Sequence, residues 1–177
     1  MIVRRAFPEE LAICAGMDAS TETDHVWQME ERSAANELQI VFREARLPRA
    51  MRVAYPRPLD RLEEDWERDE CFLVATQGVE VLGFVDVRVQ PWDGVGWVHH
   101  LVVARPYRRR SIGTRLLQTA SEWARRGGVR QLMLESSTKN YPALCFCQRL
   151  GCTFCGFNDQ SYASQDIAVF FAYPLGG

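Results

Sequence analysis

A strand, a basic turn and an amphipathic helix follow one another between residues 95 and 126. The strand is rich in valine, the turn carries four arginines, and apolar side chains recur at helical spacing after it. Gly127 and Gly128 end the predicted helix, and Val129–Glu135 predicts a further strand. With the strand patterns on either side, this order predicts an α/β fold: one domain over residues 1–177 with a mixed, twisted central β-sheet flanked by helices.

The remaining elements are predicted from local patterns. Alternation of apolar and other side chains between Val79 and Val89 predicts a strand with one buried face. Segment 24–66 gives the weakest pattern, two strands and a short helix. Beyond the elements above, we predict strands at 2–6, 26–29, 38–42, 71–76, 152–157 and 166–173, helices at 8–14, 59–68 and 140–150, and a turn at 91–94.

Composition excludes several classes of protein. A chain of 177 residues that is 47% hydrophobic can close a core without a metal or disulfides. A net charge of -2 gives no general attraction to nucleic acid or to anionic membranes, so we expect neither partner. No apolar run reaches the length of about 20 residues that a membrane span needs, and the N-terminus does not resemble a signal peptide. We therefore expect a cytoplasmic protein.

Four cysteines lie close together, at positions 145, 147, 152 and 155. On a helix, Cys145 and Cys147 would point about 200° apart, and on a strand, Cys152 and Cys155 would lie on opposite faces. Four sulfurs in that arrangement cannot converge tetrahedrally on zinc. We expect no metal site and no disulfide, only buried free thiols.

The basic turn has the features of an anion-binding site. It joins a strand to a helix, so backbone N–H groups at the helix start point outward and the helix dipole adds positive charge. Gly113 allows a phosphate to approach the backbone closely. Three consecutive arginines alone more often form a solvated loop; the strand before them and the helix after them favour anion binding here.

This turn resembles the acetyl-coenzyme A loop of the GCN5-related N-acetyltransferase (GNAT) superfamily, which is usually Arg/Gln-x-x-Gly-x-Gly/Ala. Arg108, Ser111 and Gly113 occupy its three defined places, and Asn140, Ala143, Phe146, Leu150 and Gly151 match a second block of the superfamily. The resemblance covers residues 71–173 and, more weakly, 2–16. A narrower resemblance is to the streptothricin acetyltransferases, carried by Leu134, Glu135, Asn140, Cys145, Phe146 and segment 166–171.

The resemblance implies acetyl-coenzyme A as cofactor and an amine as acceptor. The implied cofactor-binding residues are Leu101, Val102, Val103, Arg108, Arg109, Arg110, Ser111, Ile112, Gly113, Thr114, Asn140, Ala143 and Phe146. Ser111 stands where the superfamily has glycine, and it would serve either as a helix cap or as a hydroxyl donor to a phosphate. Cys147 stands where the superfamily usually has a tyrosine that protonates the leaving thiolate. We expect Cys147 to line the thioester pocket, and Tyr141 and Tyr162 are candidate substitutes for that acid.

The general base has three candidates, His99, His100 and Glu135. The histidines precede the coenzyme-binding stretch, and Glu135 ends the next predicted strand. Side chains alternate along a strand, so only one histidine can face a cleft unless a bulge intervenes. Asp86 is expected to be a solvated strand residue, and the segment 24–66 is expected to form the acceptor side.

The leading hypothesis is therefore an N-acetyltransferase for a primary amine of a small molecule, such as an antibiotic, or of a peptide. One alternative is a coenzyme-A-binding sensor with little turnover, motivated by Ser111 and Cys147. The other is a nucleic-acid binder that uses the arginines, which the charge balance disfavours. A homodimer through exposed sheet edges is compatible with the predicted fold.

Overall fold

A computed structural model describes residues 1–68, 70–90 and 92–176. Within these residues the chain forms nine strands and four α-helices. In order they are β1 (Ile2–Arg5), α1 (Pro8–Ala15), β2 (Thr21–Ala34), β3 (Glu37–Val53), α2 (Leu62–Glu67), β4 (Cys71–Gln77), β5 (Glu80–Gln90), β6 (Val95–Val103), α3 (Ile112–Arg126), β7 (Gln131–Ser137), α4 (Tyr141–Arg149), β8 (Thr153–Asn158) and β9 (Ala168–Pro174). The turn predicted at 91–94 falls partly outside the described residues, because Pro91 is not among them.

Seven strands form one sheet in the order β1-β4-β5-β6-β7-β9-β8. Only β6 and β7 are parallel, and every other neighbouring pair is antiparallel. Helix α3 makes the crossover that a parallel pair requires. The predicted mixed α/β sheet is confirmed. In segment 24–66 the strands are longer than predicted. The two short predicted strands belong to one long hairpin, β2–β3, which forms a separate two-stranded sheet.

The sheet opens between its two parallel strands. Pairing between β6 and β7 runs from Val95–Gln131 to Val98–Leu134 and stops there. Strand β6 continues to Val103 along β5, whereas β7 continues to Ser137 along β9. One edge of β6 beyond Val98 is therefore free of a neighbouring strand, and a cleft lies beside it.

A β-bulge interrupts β6 at the start of this opening. Asp86 of β5 pairs with His100, but the next residue, Val87, pairs with Val98. His99 is thus the extra residue of the bulge. Both of the neighbouring histidine rings consequently lie together, with their centroids 4.6 Å apart.

Two hydrophobic clusters cover the two faces of the sheet. One cluster includes Leu116 of α3 and Leu132 of β7. The other includes Leu11 of α1 and Leu62 of α2. As a result, β5 is buried on both faces from Val81 to Val87. The prediction of a single buried face for β5 was wrong, because alternation along one strand carries no information about helices packed on its second face.

Helix α3 matches its predicted amphipathic pattern except at Trp123, which the spacing places on the apolar face and which is exposed. Ile112, Leu116, Leu117, Ala120 and Ala124 are buried, and the helix ends at Gly127. Burying a leucine side chain of this kind stabilises the fold by roughly 1.5–3 kcal/mol. None of the helices within the described ranges is both long and apolar enough to cross a membrane.

Candidate functional site

A cavity of about 670 Å³ lies where β6 and β7 separate. Strand β6 supplies Leu101–Val103 to its wall, strand β7 supplies Leu134–Ser137, and the N-terminal end of α3 and helix α4 complete one end. Of the residues predicted to bind the cofactor, Arg110 is absent from the wall. The others all line it: Leu101, Val102, Val103, Arg108, Arg109, Ser111, Ile112, Gly113, Thr114, Asn140, Ala143 and Phe146.

The loop before α3 has an unusual backbone. Arg109 and Ser111 both have left-handed conformations, with φ of 65° and 59°. That conformation costs a residue with a side chain more than it costs glycine, which explains the glycine in the superfamily pattern at the place of Ser111. Ser111 lies at the N-cap of α3, but its side chain makes no capping hydrogen bond. The capping role considered for its hydroxyl is therefore absent.

Arg108 is committed to the protein backbone. Its guanidinium donates to the carbonyl oxygens of Val103 at 2.9 Å, Ser20 at 2.6 Å and Asp18 at 2.6 Å. These bonds fix the loop to the chain that enters β2. Arg109 also lines the cavity, whereas Arg110 lies over the ring of Tyr107, 5.7 Å from its centroid.

Asn140 and Gly113 have separate structural roles. The side chain of Asn140 accepts a hydrogen bond from the N–H of Ala143 and thereby caps α4. A Cβ added at Gly113 would lie 3.6 Å from the ring of Phe146, an ordinary contact distance. Packing against other protein atoms therefore does not require glycine at this position. We attribute the glycine to the cavity, where a side chain would occupy space next to the backbone.

The bulge separates the two candidate histidines by depth. The side chain of His99 is 27% exposed and lines the cavity, whereas that of His100 is 2% exposed and does not. Burial lowers the pKa of His100 to about 3, so its imidazole is neutral. The Nδ1 atom of His100 lies 3.1 Å from the hydroxyl of Tyr55, which itself lines the cavity. The structure thus brings His99, and not His100, to the cleft.

Asp86 is buried, and the expectation that it would be solvated was wrong. Its side chain is 2% exposed, because it lies on the same face of β5 as Phe84, which α1 and α2 cover. The Oδ2 atom of Asp86 lies 3.3 Å from Nδ1 of His99. Asp65 of α2 is nearby and also buried, and burial raises the pKa of its carboxyl.

Glu135 forms a polar cluster on the β7 side of the cleft. Its carboxylate accepts a hydrogen bond from Nη2 of Arg57 at 2.7 Å, and Nη1 of Arg57 donates to the backbone oxygen of His99 at 2.7 Å. Burial and the charge of Glu135 raise the pKa of the Tyr162 hydroxyl, which stays protonated. All of these residues line the cavity.

Tyr55 and Arg57 are site residues that sequence reasoning missed. Both follow β3 and lie in the predicted acceptor segment, 24–66. Pro56 and Pro58 flank Arg57. This rigid Pro-x-Pro stretch after a strand was the one signal in the sequence that could have marked Arg57 as a fixed site residue. Nothing local indicates that this arginine meets a carboxylate 78 positions further along the chain.

All six cysteines lie within the described residues and all are free thiols. Of the four neighbouring cysteines expected to be buried, only Cys147 is; Cys145 and Cys152 are half-buried, and Cys155 is exposed because it lies on the edge strand β8. A hydrogen bond with Cys152, together with burial, raises the pKa of Cys147. Cys147 is therefore a neutral thiol in the wall of the cavity.

Comparison with known proteins gives one consistent family. The family model described as "Acetyltransferase (GNAT) family" matches residues 37–152. Streptothricin acetyltransferase of Streptomyces lavendulae is 30% identical over 63% of this chain, and streptothricin acetyltransferase A of Bacillus subtilis is 29% identical over 53%. The matched regions span only 60% and 56% of those two proteins.

Two solved structures are similar over nearly the whole chain. Nourseothricin acetyltransferase superposes with a TM-score of 0.83 at 25% identity, and the match covers 99% of this chain and 98% of that one. A Bacillus anthracis protein solved in complex with acetyl coenzyme A has a TM-score of 0.78 at 19% identity, covering 98% and 96%. The second likeness concerns the fold alone.

Proposed function

Because the chain belongs to the acetyltransferase (GNAT) family, we propose that it transfers an acetyl group from acetyl-coenzyme A to a primary amine by direct attack on the thioester. The observation that carries this proposal is the opening between β6 and β7. A free strand edge forms one side of it, the N-terminal end of α3 lies at one end, and Glu135 lies on the opposite wall.

The end of the cavity at α3 suits the pyrophosphate of the coenzyme. Helix α3 is 15 residues long, and its first backbone N–H groups have no acceptor within the helix. The dipole of the helix favours an anion at this position. Arg109 adds a positive side chain, while Arg108 acts by holding the loop through its three carbonyl contacts.

The free edge of β6 suits the thioester end of the coenzyme. Beyond Val98 this strand has no partner on the β7 side. Apart from the carbonyl of Val103, which accepts from Arg108, peptide groups of Leu101–Val103 that point to the cleft are available to an extended ligand. A backbone N–H in that stretch would donate to the thioester oxygen and stabilise its negative charge as the amine attacks.

Glu135 is the group that we assign to the acceptor amine. Its carboxylate attracts the ammonium ion and accepts the proton that nitrogen must lose before it can attack. Arg57 holds the carboxylate in place through its bond of 2.7 Å. Glu22 is a further acidic residue in the wall, but Arg105 pairs with it at 2.6 Å, so Glu135 is the carboxylate that we assign to a cationic acceptor.

Tyr162 is the group that we assign to the leaving thiolate. While Glu135 is ionised, its charge raises the pKa of Tyr162. Once Glu135 holds the proton of the amine, that charge is gone and the hydroxyl becomes a better acid. As the new C–N bond forms and the C–S bond breaks, Tyr162 protonates the sulfur and regains a proton from Glu135. The second proton that nitrogen loses passes to water.

The proposed acceptor is a small cationic amine, and streptothricin-class antibiotics are the first candidates. Both curated relatives carry streptothricin in their names, and the chain shares 25% identity with nourseothricin acetyltransferase over nearly its full length. A cytoplasmic location is part of the proposal, supported by the six free thiols.

A thiol-release assay tests this function. The purified chain is incubated with acetyl-coenzyme A and, in turn, streptothricin, polyamines, lysine and short peptides, and the free coenzyme A thiol is measured. We expect release with at least one cationic amine and an acetylated product by mass spectrometry. Binding of acetyl-coenzyme A without release for any amine would favour the sensor alternative instead.

A further inference from the structure

Four side chains with metal-binding atoms converge behind the bulge of β6. Asp65, Asp86, His99 and His100 each bring one ligand atom to within 4.8 Å of the others. Nδ1 of His99 lies 3.3 Å from Oδ2 of Asp86 and 3.7 Å from Oδ2 of Asp65. Nε2 of His100 lies 3.8 Å from the same oxygen of Asp65. Three different elements, α2, β5 and β6, thus supply one compact set of two nitrogens and two oxygens.

The cluster contains buried polar atoms without hydrogen-bond partners. Among the described residues four such side-chain atoms occur, and three of them are here: Oδ2 of Asp86, Nδ1 of His99 and Nε of Arg88. The side chain of Asp86 is 2% exposed, so water does not solvate its free oxygen from bulk. Buried polar atoms are normally hydrogen-bonded, so a buried carboxylate oxygen and a buried imidazole nitrogen without partners need an explanation. A bound ion that contacts both atoms would provide one.

The bulge is what makes this arrangement possible. In a regular strand His99 and His100 would point to opposite faces of the sheet. The register shift, in which Asp86 pairs with His100 and Val87 with Val98, places both rings at the same buried carboxylates. Irregular backbone of this kind persists where it positions side chains for a function.

Two arginines compensate the charge of the two carboxylates from one side of the cluster. Arg88 is the cationic side chain in contact with both carboxylates: it donates to Oδ1 of Asp65, and its Nε lies 3.9 Å from Oδ2 of Asp86. Arg68 is the other cationic neighbour, 3.9 Å from Oδ1 of Asp65, and its side chain is 53% exposed. Both arginines approach the Oδ1 side of Asp65, which leaves its Oδ2 directed at the two histidines.

We propose that Asp65, Asp86, His99 and His100 bind a divalent transition-metal cation of the zinc type. Two imidazole nitrogens and two carboxylate oxygens form a set that zinc accepts in tetrahedral geometry. With bonds of about 2.0–2.1 Å, tetrahedral ligand atoms lie roughly 3.3–3.4 Å apart. The distances of 3.3, 3.7 and 3.8 Å lie near this spacing. Other ligand atoms of the set are up to 4.8 Å apart and would move closer by roughly 1 Å when the cation binds. The site departs from the sequence-based expectation of no metal, which considered the cysteines only.

The surroundings of His100 resemble those of a metal ligand. Its other ring nitrogen, Nδ1, lies 3.1 Å from the hydroxyl of Tyr55, and such an outer partner fixes the tautomer and orientation of a ligating imidazole. Tyr55 lines the cavity. A cation bound to His100 therefore sets the position of one wall of the cleft, and its binding does not depend on the transfer reaction.

The test is a titration of the full chain, freed of metal with a chelator, with Co²⁺ and then with Zn²⁺. We expect one Co²⁺ per chain, visible absorption typical of tetrahedral coordination, no thiolate-to-cobalt charge-transfer band, displacement by Zn²⁺, and a higher melting temperature with Zn²⁺. Asp86→Asn and His100→Gln should each weaken binding by at least about tenfold.

Matched controls separate this site from other ligands in the chain. His25→Gln changes the third histidine, which lies beside Asp24 on β2, and Cys155→Ser removes the exposed thiol. Both variants should bind Co²⁺ as the unmodified chain does. Absence of binding, a thiolate band, or binding that Asp86→Asn leaves unchanged would overturn the proposal. If Asp86→Asn does not fold, the spectrum of the unmodified chain still decides the nature of the ligands.

Discussion

Arg57 and Glu135 form an ion pair of 2.7 Å across the cleft, although 78 residues separate them in the sequence. The same guanidinium donates to the backbone oxygen of His99, so one side chain joins the segment after β3 to both β6 and β7. This bond holds the two separated strands at a fixed distance. It also sets the orientation of the carboxylate that we assign to the acceptor amine.

Replacing Arg57 should therefore impair transfer more than coenzyme binding. Arg57→Lys keeps the charge but cannot bond to Glu135 and to the His99 carbonyl together. We expect kcat/KM for the amine to fall by about tenfold or more, corresponding to roughly 1.5–3 kcal/mol for a charged hydrogen bond. Steady-state thiol release measures this. Arg52→Lys, on the exposed side of β3, is the matched control and should change kcat/KM little.

Glu135→Gln should remove the assigned base while keeping the shape of the site. We expect kcat to fall by about 10²–10⁴-fold, the usual contribution of a positioned acid–base group. Calorimetric affinity for acetyl-coenzyme A should stay within about twofold, because the proposed pyrophosphate site lies at the α3 end of the cavity, away from Glu135. A kcat close to that of the unmodified chain would exclude Glu135 as the base.

Tyr162→Phe tests the proton donor to sulfur. The charge of Glu135 raises the pKa of the Tyr162 hydroxyl, and phenylalanine keeps the ring while removing that hydroxyl. We expect kcat to fall by about 10²–10⁴-fold, the usual contribution of a general acid. Cys147→Ala serves as the comparison, since this buried thiol is a wall residue. A larger loss of kcat for Cys147→Ala than for Tyr162→Phe would reverse the two assignments.

Ser111→Gly should stabilise the loop before α3. Ser111 has φ of 59°, a conformation that costs a residue with a Cβ about 1–2 kcal/mol. We expect the free energy of unfolding to rise by about 1 kcal/mol in urea denaturation. Ser111→Ala keeps the Cβ and removes a hydroxyl that makes no capping bond, so it should give no such gain. Equal effects of both substitutions would contradict the strain argument.

The pair of Arg4 and Glu10 gives a pH-dependent prediction. Hydrogen bonds from Arg4 hold the pKa of Glu10 below its ordinary value, despite burial, and the N–H of Phe7 also donates to its carboxylate. A lowered pKa in the folded state means that this stability is fully present above the unfolded pKa, roughly 4.3. It is lost as the pH falls below that value and through the folded pKa.

Glu10→Gln should accordingly destabilise the chain by about 1–2 kcal/mol at pH 7. The difference from the unmodified chain should shrink as the pH falls below about 4. Chemical denaturation at several pH values measures it, with Glu9→Gln, an exposed neighbour, as control. A difference that does not depend on pH would mean that the charge of Glu10 contributes nothing.

The sequence predicted those parts of the fold that local patterns determine. The apolar spacing of α3, the strand before it and Gly113 in the loop between them all have local signals, and each lies where the pattern placed it. Burial of Asp86 had no local signal, since α1 and α2 cover its face of β5 only after the chain has folded. The bulge at His99 depends on the register with β5, which one strand alone does not specify.

The acceptor side of the cleft was the least predictable part for the same reason. Tyr55 and Arg57 acquire their roles from contacts with His100 and Glu135, and each contact joins residues more than 40 positions apart. The basic turn lines the cavity, as a binding loop should, but the sequence did not predict the use of Arg108. That arginine looks like an anion ligand in the sequence, and in the fold it donates to three backbone carbonyls.

Calorimetric titration with acetyl-coenzyme A, on the unmodified chain and on Gly113→Trp, tests the central claim most directly. A Cβ at Gly113 makes only ordinary contacts, so the variant should fold, and its indole would occupy the cavity. Gly113→Ala controls for the loss of glycine and should still bind. We predict micromolar binding to the unmodified chain and no detectable binding to Gly113→Trp. Equal affinity for both would show that the coenzyme does not bind in the opening between β6 and β7.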